Sequence, residues 1–241
     1  KMKKTIYRLF IIIILIFFSL ILYFSTIGIK TDKFNSQIIS YAKNIEPNLE
    51  FRINDVSAKL NLFTFTIDVK TIGTDVLNKN KIIKLENIKS QISLKSFFKN
   101  KFALSGISIS TKSIPIKELL GFARLLNNNT KLFIVEQLID DGYIVVDIKL
   151  DFDEFGKIKN DYKVKGLVNN GQLTLLKKEI SNLNFIFQVT DKEYIFNDIK
   201  LSLNNKSINI PELKSIKQKN KFLVSGKLNS NNLKLKKEDI E

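Results

Sequence analysis

The chain has 241 residues, a formal net charge of +15, and neither cysteine nor histidine. Those two absences exclude disulfide staples, thiolate and imidazole metal sites, Cys or Ser–His nucleophiles and histidine general bases. Five of the positive residues (Lys1, Lys3, Lys4, Arg8 and Lys30) fall within residues 1–30, where there is no acid, and the remaining excess is lysine scattered among Asp and Glu. That distribution suits anionic membrane headgroups at least as well as nucleic acid.

The run from Leu9 to Ile27 carries no charge. As a helix it reaches about 28 Å, close to the ~30 Å hydrocarbon core of a bilayer. Basic residues precede it, and the positive-inside rule then places the N-terminus in the cytoplasm and exports the rest. A cleaved signal peptide is the main alternative, but signal cores are usually shorter, about 7–15 residues. Only Thr26-x-Gly28 offers even a weak cleavage site. The expected organisation is a basic N-terminus over 1–8, a transmembrane anchor over 9–29, an amphipathic helix over 30–48 and one exported domain over 49–241. A start at Lys1 ahead of Met2 and a hydrophilic end leave open that the chain is a piece of a longer protein.

Phe34, Ile38, Tyr41 and Ile45 recur at helical spacing before Pro47. The period then changes to two. Phe63, Phe65, Ile67 and Val69 alternate with polar residues, and so do Ile92 and Leu94. Ile144, Val146, Ile148 and Leu150 follow, then Val164 and Val168, then Leu183, Phe185, Phe187 and Val189. Ile199, Leu201 and Leu203, and finally Phe222 and Val224, complete the series. Strict alternation marks strands with one apolar face, and such sheets are usually antiparallel. Turns are expected at Asn78-Lys79-Asn80, Asp153–Gly156, Asn169-Asn170-Gly171 and Asn204-Asn205. The alternation slips phase at Asn54-Asp55, near Gly106 and at Asn197-Asp198, where a bulge or a loop is expected. Pro115 opens a helix over 116–127, and residues 132–139 fit helix slightly better than strand. The total is about ten strands and two or three helices.

Ten strands at about 4.8 Å make a ribbon roughly 48 Å wide, and each helix covers about 10 Å of it. Around half of the apolar face then lacks a partner. The sheet either closes on itself as a sandwich or barrel, the ordinary solution, or stays an open trough that holds something greasy such as acyl chains.

The order of these elements carries a resemblance. An anchor and short amphipathic helix precede a meander opening Leu49-Glu-Phe-Arg-Ile-Asn-Asp-Val-Ser. Asp141-Gly-Tyr-Ile-Val-Val-Asp-Ile-Lys-Leu-Asp-Phe-Asp-Glu-Phe-Gly then leads into Tyr162-Lys-Val-Lys-Gly-Leu-Val-Asn-Asn-Gly, and Lys221-Phe-Leu-Val-Ser-Gly-Lys-Leu-Asn lies near the end. The pattern resembles the N-terminal part of AsmA-like proteins, the superfamily of the TamB and YhdP types. The resemblance implies a single-pass bacterial inner-membrane protein with a periplasmic body. That body would be a long curved antiparallel sheet, an open β-groove like those of chorein-type bridge proteins, with two or three short amphipathic helices. It implies a role in phospholipid transport, outer-membrane biogenesis or cell-envelope lipid homeostasis. No catalytic residue comes with it.

The candidate lipid-facing residues are Phe65, Ile67, Val69, Ile144, Val146, Ile148, Phe185 and Phe187. No cofactor, metal or nucleic acid is expected; the expected partners are the membrane, phospholipid acyl chains and other envelope proteins. Asp151-x-Asp153-Glu154-x-Gly156 is similar to a calcium loop, but Phe155 stands where a third ligand belongs, and a solvated turn explains it better. Asp147 and Asp151 sit roughly 13 Å apart on one strand face, too far for a glycosidase acid pair. Phe97-Phe98-Lys99-Asn100-Lys101-Phe102 mixes rings and lysines as single-strand platforms do, yet a strand end with buried aromatics is the simpler account. The rival to lipid transport is a non-enzymatic, membrane-tethered scaffold or assembly factor with a closed β core.

Overall fold

A computed structural model describes residues 2–32, 35, 39, 43, 47–99, 104–126, 130–153, 155, 157, 159, 162–175, 177–203, 206–218 and 221–229. The expected amphipathic helix rests on Phe34, Ile38, Tyr41 and Ile45, which lie outside the described residues.

Helix α1 (Met2–Thr26) contains a segment, Lys4–Thr26, long and apolar enough to cross a membrane, and no part of that segment's most apolar window is buried by the rest of the chain. The helix ends where Thr26 Oγ1 donates to the Leu22 carbonyl and Gly28 turns to φ +74°. The chain passes directly into β1 (Ile29–Thr31), which pairs antiparallel with β2 (Glu50–Asn61) at Ala58, Ser57 and Val56. A Cβ on Gly28 would stand 2.5 Å from the Ala58 carbonyl oxygen, so glycine permits both the turn and the close approach.

The meander continues with β3 (Thr66–Asn78), β4 (Lys81–Ser93), the short helix α2 (Leu94–Phe98), β5 (Leu104–Thr111) and β6 (Ile114–Pro115). Helices α3 (Ile116–Leu126) and α4 (Thr130–Leu138) interrupt it. Then come β7 (Ile139–Asp151), β8 (Lys163–Leu175), β9 (Lys178–Thr190), β10 (Glu193–Leu203), β11 (Lys206–Gln218) and β12 (Lys221–Asn229). All the pairings are antiparallel, and the order is β1-β2-β3-β4-β5-β7-β8-β9-β10-β11-β12, with β6 added beside β7. The sheet does not close: among the described residues no ladder joins β1 to β12. The sandwich and the barrel are therefore not formed.

All three phase slips are irregularities of the ladder. In β2 the inward set passes from Phe51 and Ile53 to Val56, Ala58 and Leu60, while β3 makes the matching shift at Gly73, φ +62°. Ser105 is the extra residue where Gln91 pairs with Gly106 but Ile92 pairs with Leu104. Asp198 takes φ +54° where β9 and β10 change register. The bulges at Ser105 and Asp198, and the left-handed Gly73 opposite Asn54, let the apolar set stay on one face of a long twisting sheet.

Two expected features are placed differently. Asn169-Asn170-Gly171 is no hairpin turn; it lies within β8 as a bulge. Asn170 adopts φ +52° and its N–H donates to Asn184 Oδ1, so the left-handed residue is absorbed inside the ladder. The strand expected to begin at Phe63 begins at Thr66, because Asn61 Oδ1 accepts from the N–H groups of Phe63 and Thr64 and folds the chain over.

The main buried cluster gathers β3, β4 and β6 beneath α3. Val76, Ile83, Leu85, Ile114 and Phe122 cluster there, with Leu119 of α3 and Ile88, Ile109 and Ile144 packed around them. Glu136 of α4 lies 2.9 Å from Arg124 of α3 and 4.0 Å from Lys81 of β4, which ties both helices to the sheet.

Candidate functional site

The face that carries α3 and α4 is the inner face, and register decides which residues reach it. Ile88, Ile109, Ile148, Val164, Val189 and Tyr194 are successive cross-strand partners from β4 to β10. They form one apolar ladder over five strand spacings, about 24 Å. Beside it Val146, Gly166, Phe187, Phe196 and Leu213 make a second row, and Ile144, Val168 and Phe185 a third. Phe185 meets Phe196 edge-on at 5.8 Å and Phe187 at 6.0 Å. Toward β2, Ile67 pairs with Leu60 and Ile92, and Val69 with Ala58 and Ser90.

Seven of the eight candidate residues thus share one face: Ile67, Val69, Ile144, Val146, Ile148, Phe185 and Phe187. The eighth, Phe65, does not join them. It lies in the β2–β3 turn at φ +56° and is half exposed. Residues of β5 belong to the surface but were not among the candidates. The bulge beside Gly106 hides Ile107 and Ile109 from a simple count of alternation.

Among the described residues, α3 and α4 roof one part of this face. Val146 and Val168 are buried there, whereas Ile67, Ile148, Val164, Val189 and Tyr194 are partly exposed. A cleft of about 270 Å³ lies between the helices and the sheet, lined by Ile116, Leu120, Val135, Val168, Leu183 and Phe185 among others. That is just below the ~300–1,000 Å³ of ordinary small-molecule pockets. The cleft is the closed end of a larger open surface.

The few buried polar groups on this side hold the irregular ladder. Thr71 Oγ1 accepts from Ile88 N–H at 3.0 Å and from Thr74 Oγ1 at 2.7 Å, and Thr111 Oγ1 accepts from Val146 N–H at 2.9 Å.

Elsewhere, Asp153 Oδ1 accepts from the N–H groups of Phe155 and Lys157, both at 2.9 Å. The Lys157 N–H, foremost, holds the Asp153 carboxyl below the ordinary carboxylate range. The carboxylate is therefore spent on a turn, and Glu154 and Gly156 lie outside the described residues. Asp147 and Asp151 face outward, with Asp151 3.5 Å from Lys149. No cluster of three or more acidic residues suited to a metal occurs among the described residues. Of the stretch from Phe97 to Phe102, Phe97 and Phe98 close α2, and residues 100–102 lie outside the described residues.

Fold and site together define a class: an N-terminal apolar helix joined to an open antiparallel sheet with apolar cross-strand rows on its inner face. Comparison with family models, curated proteins and solved structures gives no match for this chain.

Proposed function

We propose that the inner face shelters lipid acyl chains, and that the protein is an AsmA-like, single-pass inner-membrane protein. Its sheet stands in the periplasm and takes part in phospholipid transport or envelope lipid homeostasis. The carrying observation is the partly exposed ladder from Ile148 to Tyr194. Strands of about 12 residues stacked over ten spacings give a face of roughly 40 by 48 Å. Among the described residues, helices α3 and α4, about 16 and 14 Å long and 10 Å wide, cover about a sixth of it. Exposed apolar patches beyond a few hundred Å² mark interaction sites. An acyl chain that lays about ten methylenes on this face gains up to ~8 kcal/mol. Glycerol and phosphate would remain in water at the rim.

The AsmA-like assignment rests on the order of elements and the open sheet. In this reading, movement follows a gradient set by partners, and the chain itself supplies the path.

Photo-crosslinking in native membranes tests the reading. A diazirine amino acid at Ile67, Ile148 or Val189 should capture acyl chains, and one at Leu167 should not. Leu167 is an exposed apolar residue on the opposite face, so the comparison separates a groove from mere greasiness. Equal capture at Leu167 and Ile148 would remove the basis for a lipid path.

A further inference from the structure

The outer face carries a pattern of its own. Lys30, Ser57, Lys70, Lys89, Ser108, Lys149 and Lys163 are consecutive cross-strand partners from β1 to β8. The row holds five lysines and no acid over six strand spacings, about 29 Å. Lys70 stands directly opposite Lys89, and Lys149 directly opposite Lys163. Like charges so placed weaken a sheet, so folding gains nothing from them. Lys30 and Lys149 have neighbouring acids, Asp55 at 3.1 Å and Asp151 at 3.5 Å. Lys70, Lys89 and Lys163 form no ion pair among the described residues. The row also begins at a defined place: Lys30 is four residues beyond Thr26, the last residue of α1.

We propose that this lysine row is a docking line for anionic headgroups of the same membrane that α1 enters, so that the outer face lies against the bilayer surface. The inference rests on the anchoring reading above. Ammonium groups repeated at strand spacing offer a linear array of positive charge, and lipid phosphates can slide to match it because lipids diffuse in their plane. A rigid polyanion would have to match the spacing itself. Attraction of this kind adds up over each lysine held near an anionic surface and fades within a screening length. Docking along the row would also turn the opposite, apolar face away from the bilayer surface.

The absence of native cysteine allows a unique label. The full chain carrying Ser108→Cys, with a fluorophore at that thiol, is placed in nanodiscs of phosphatidylcholine alone or mixed with phosphatidylglycerol, each doped with a headgroup-linked quencher. Ser225→Cys on β12, outward-facing but distant from the row, serves as control. Quenching at residue 108 should be roughly threefold stronger in the anionic discs, and about 1 M salt, with its ~3 Å screening length, should abolish the difference. The combined K70Q, K89Q, K149Q and K163Q chain should quench as weakly in anionic discs as in neutral ones, with its thermal midpoint no lower, since two like-charge pairs are gone. Quenching at residue 108 that is equal in both discs, or that survives high salt in the unaltered row, overturns the proposal. So does equal quenching at residue 225. Loss of the protein from discs of every composition on gel filtration would instead mean that α1 is no anchor.

Discussion

Ile148 and Val146 lie two residues apart on β7 and project to the same face, yet the open sheet treats them differently. Val146 is 6% exposed beneath the helices, and Ile148 is partly exposed in the ladder between Ile109 and Val164. An aspartate at either position probes whether water reaches it. Full burial of an isoleucine is worth about 1.5–3 kcal/mol, so Ile148→Asp, at a partly solvated site, should cost about 1–2 kcal/mol. Val146→Asp places an unpaired carboxylate in an apolar site and should cost more than about 3 kcal/mol, or force the carboxyl to stay protonated. Urea unfolding of the full chain in nanodiscs, followed by the strand signal in circular dichroism, reads both. Ile148→Asp should also lose captured acyl chains while remaining folded. Two equal losses above about 3 kcal/mol would mean that Ile148 is as enclosed as Val146, and the open groove would be refuted.

Three further outcomes follow from the geometry. Gly28→Val adds a Cβ 2.5 Å from the Ala58 carbonyl and strains a φ of +74°, so β1 should unpair at a cost of about 1–3 kcal/mol, visible as faster amide exchange at residues 29–31. Thr111→Val leaves the buried Val146 N–H without its acceptor and should cost about 1–3 kcal/mol, while Thr111→Ser, which keeps the hydroxyl, should cost clearly less in the same urea titration. Since the Asp153 pKa is depressed, its stabilising effect on the 153–157 turn is present above the ordinary carboxylate range and fades as the pH falls through the lowered value. Amide protection of Phe155 and Lys157 should therefore drop on acidification, and Asp153→Ala should show the same loss at neutral pH; protection unchanged in both cases would contradict the assignment.

Much of this architecture could be read in one dimension because an uncovered sheet has two unlike faces. Alternation at Ile144, Val146 and Ile148 or at Phe185 and Phe187 survives in the sequence for that reason. The slips at Asn54-Asp55, Gly106 and Asn197-Asp198 were legible as changes of phase. The same logic misplaced Asn169-Asn170-Gly171, since a left-handed asparagine serves a bulge as well as a hairpin, and only the partner Asn184 distinguishes them. Residues 132–139 read ambiguously because both readings are partly true: α4 ends at Leu138 and β7 starts at Ile139. None of α4 is buried, so its sequence carries no helical stripe. Phe65 has the parity of Ile67 and Val69, but the Asx turn at Asn61 takes it off their face. The lysine row could not be seen at all, because its members lie on different strands and register is a property of the folded sheet.

Cysteine accessibility measures the central claim most directly. Single cysteines at Ile67, Ile148, Val164 and Val189, in a chain that otherwise has none, would be treated with a small water-soluble maleimide before and after lipid is supplied. An open groove predicts rapid labelling of all four in the lipid-stripped protein and strong protection once acyl chains occupy the face, with cysteine at Leu167 labelled equally in both states. Protection of the four inner positions in the absence of lipid would mean that the protein covers its own apolar face, and the acyl-chain path would have to be abandoned.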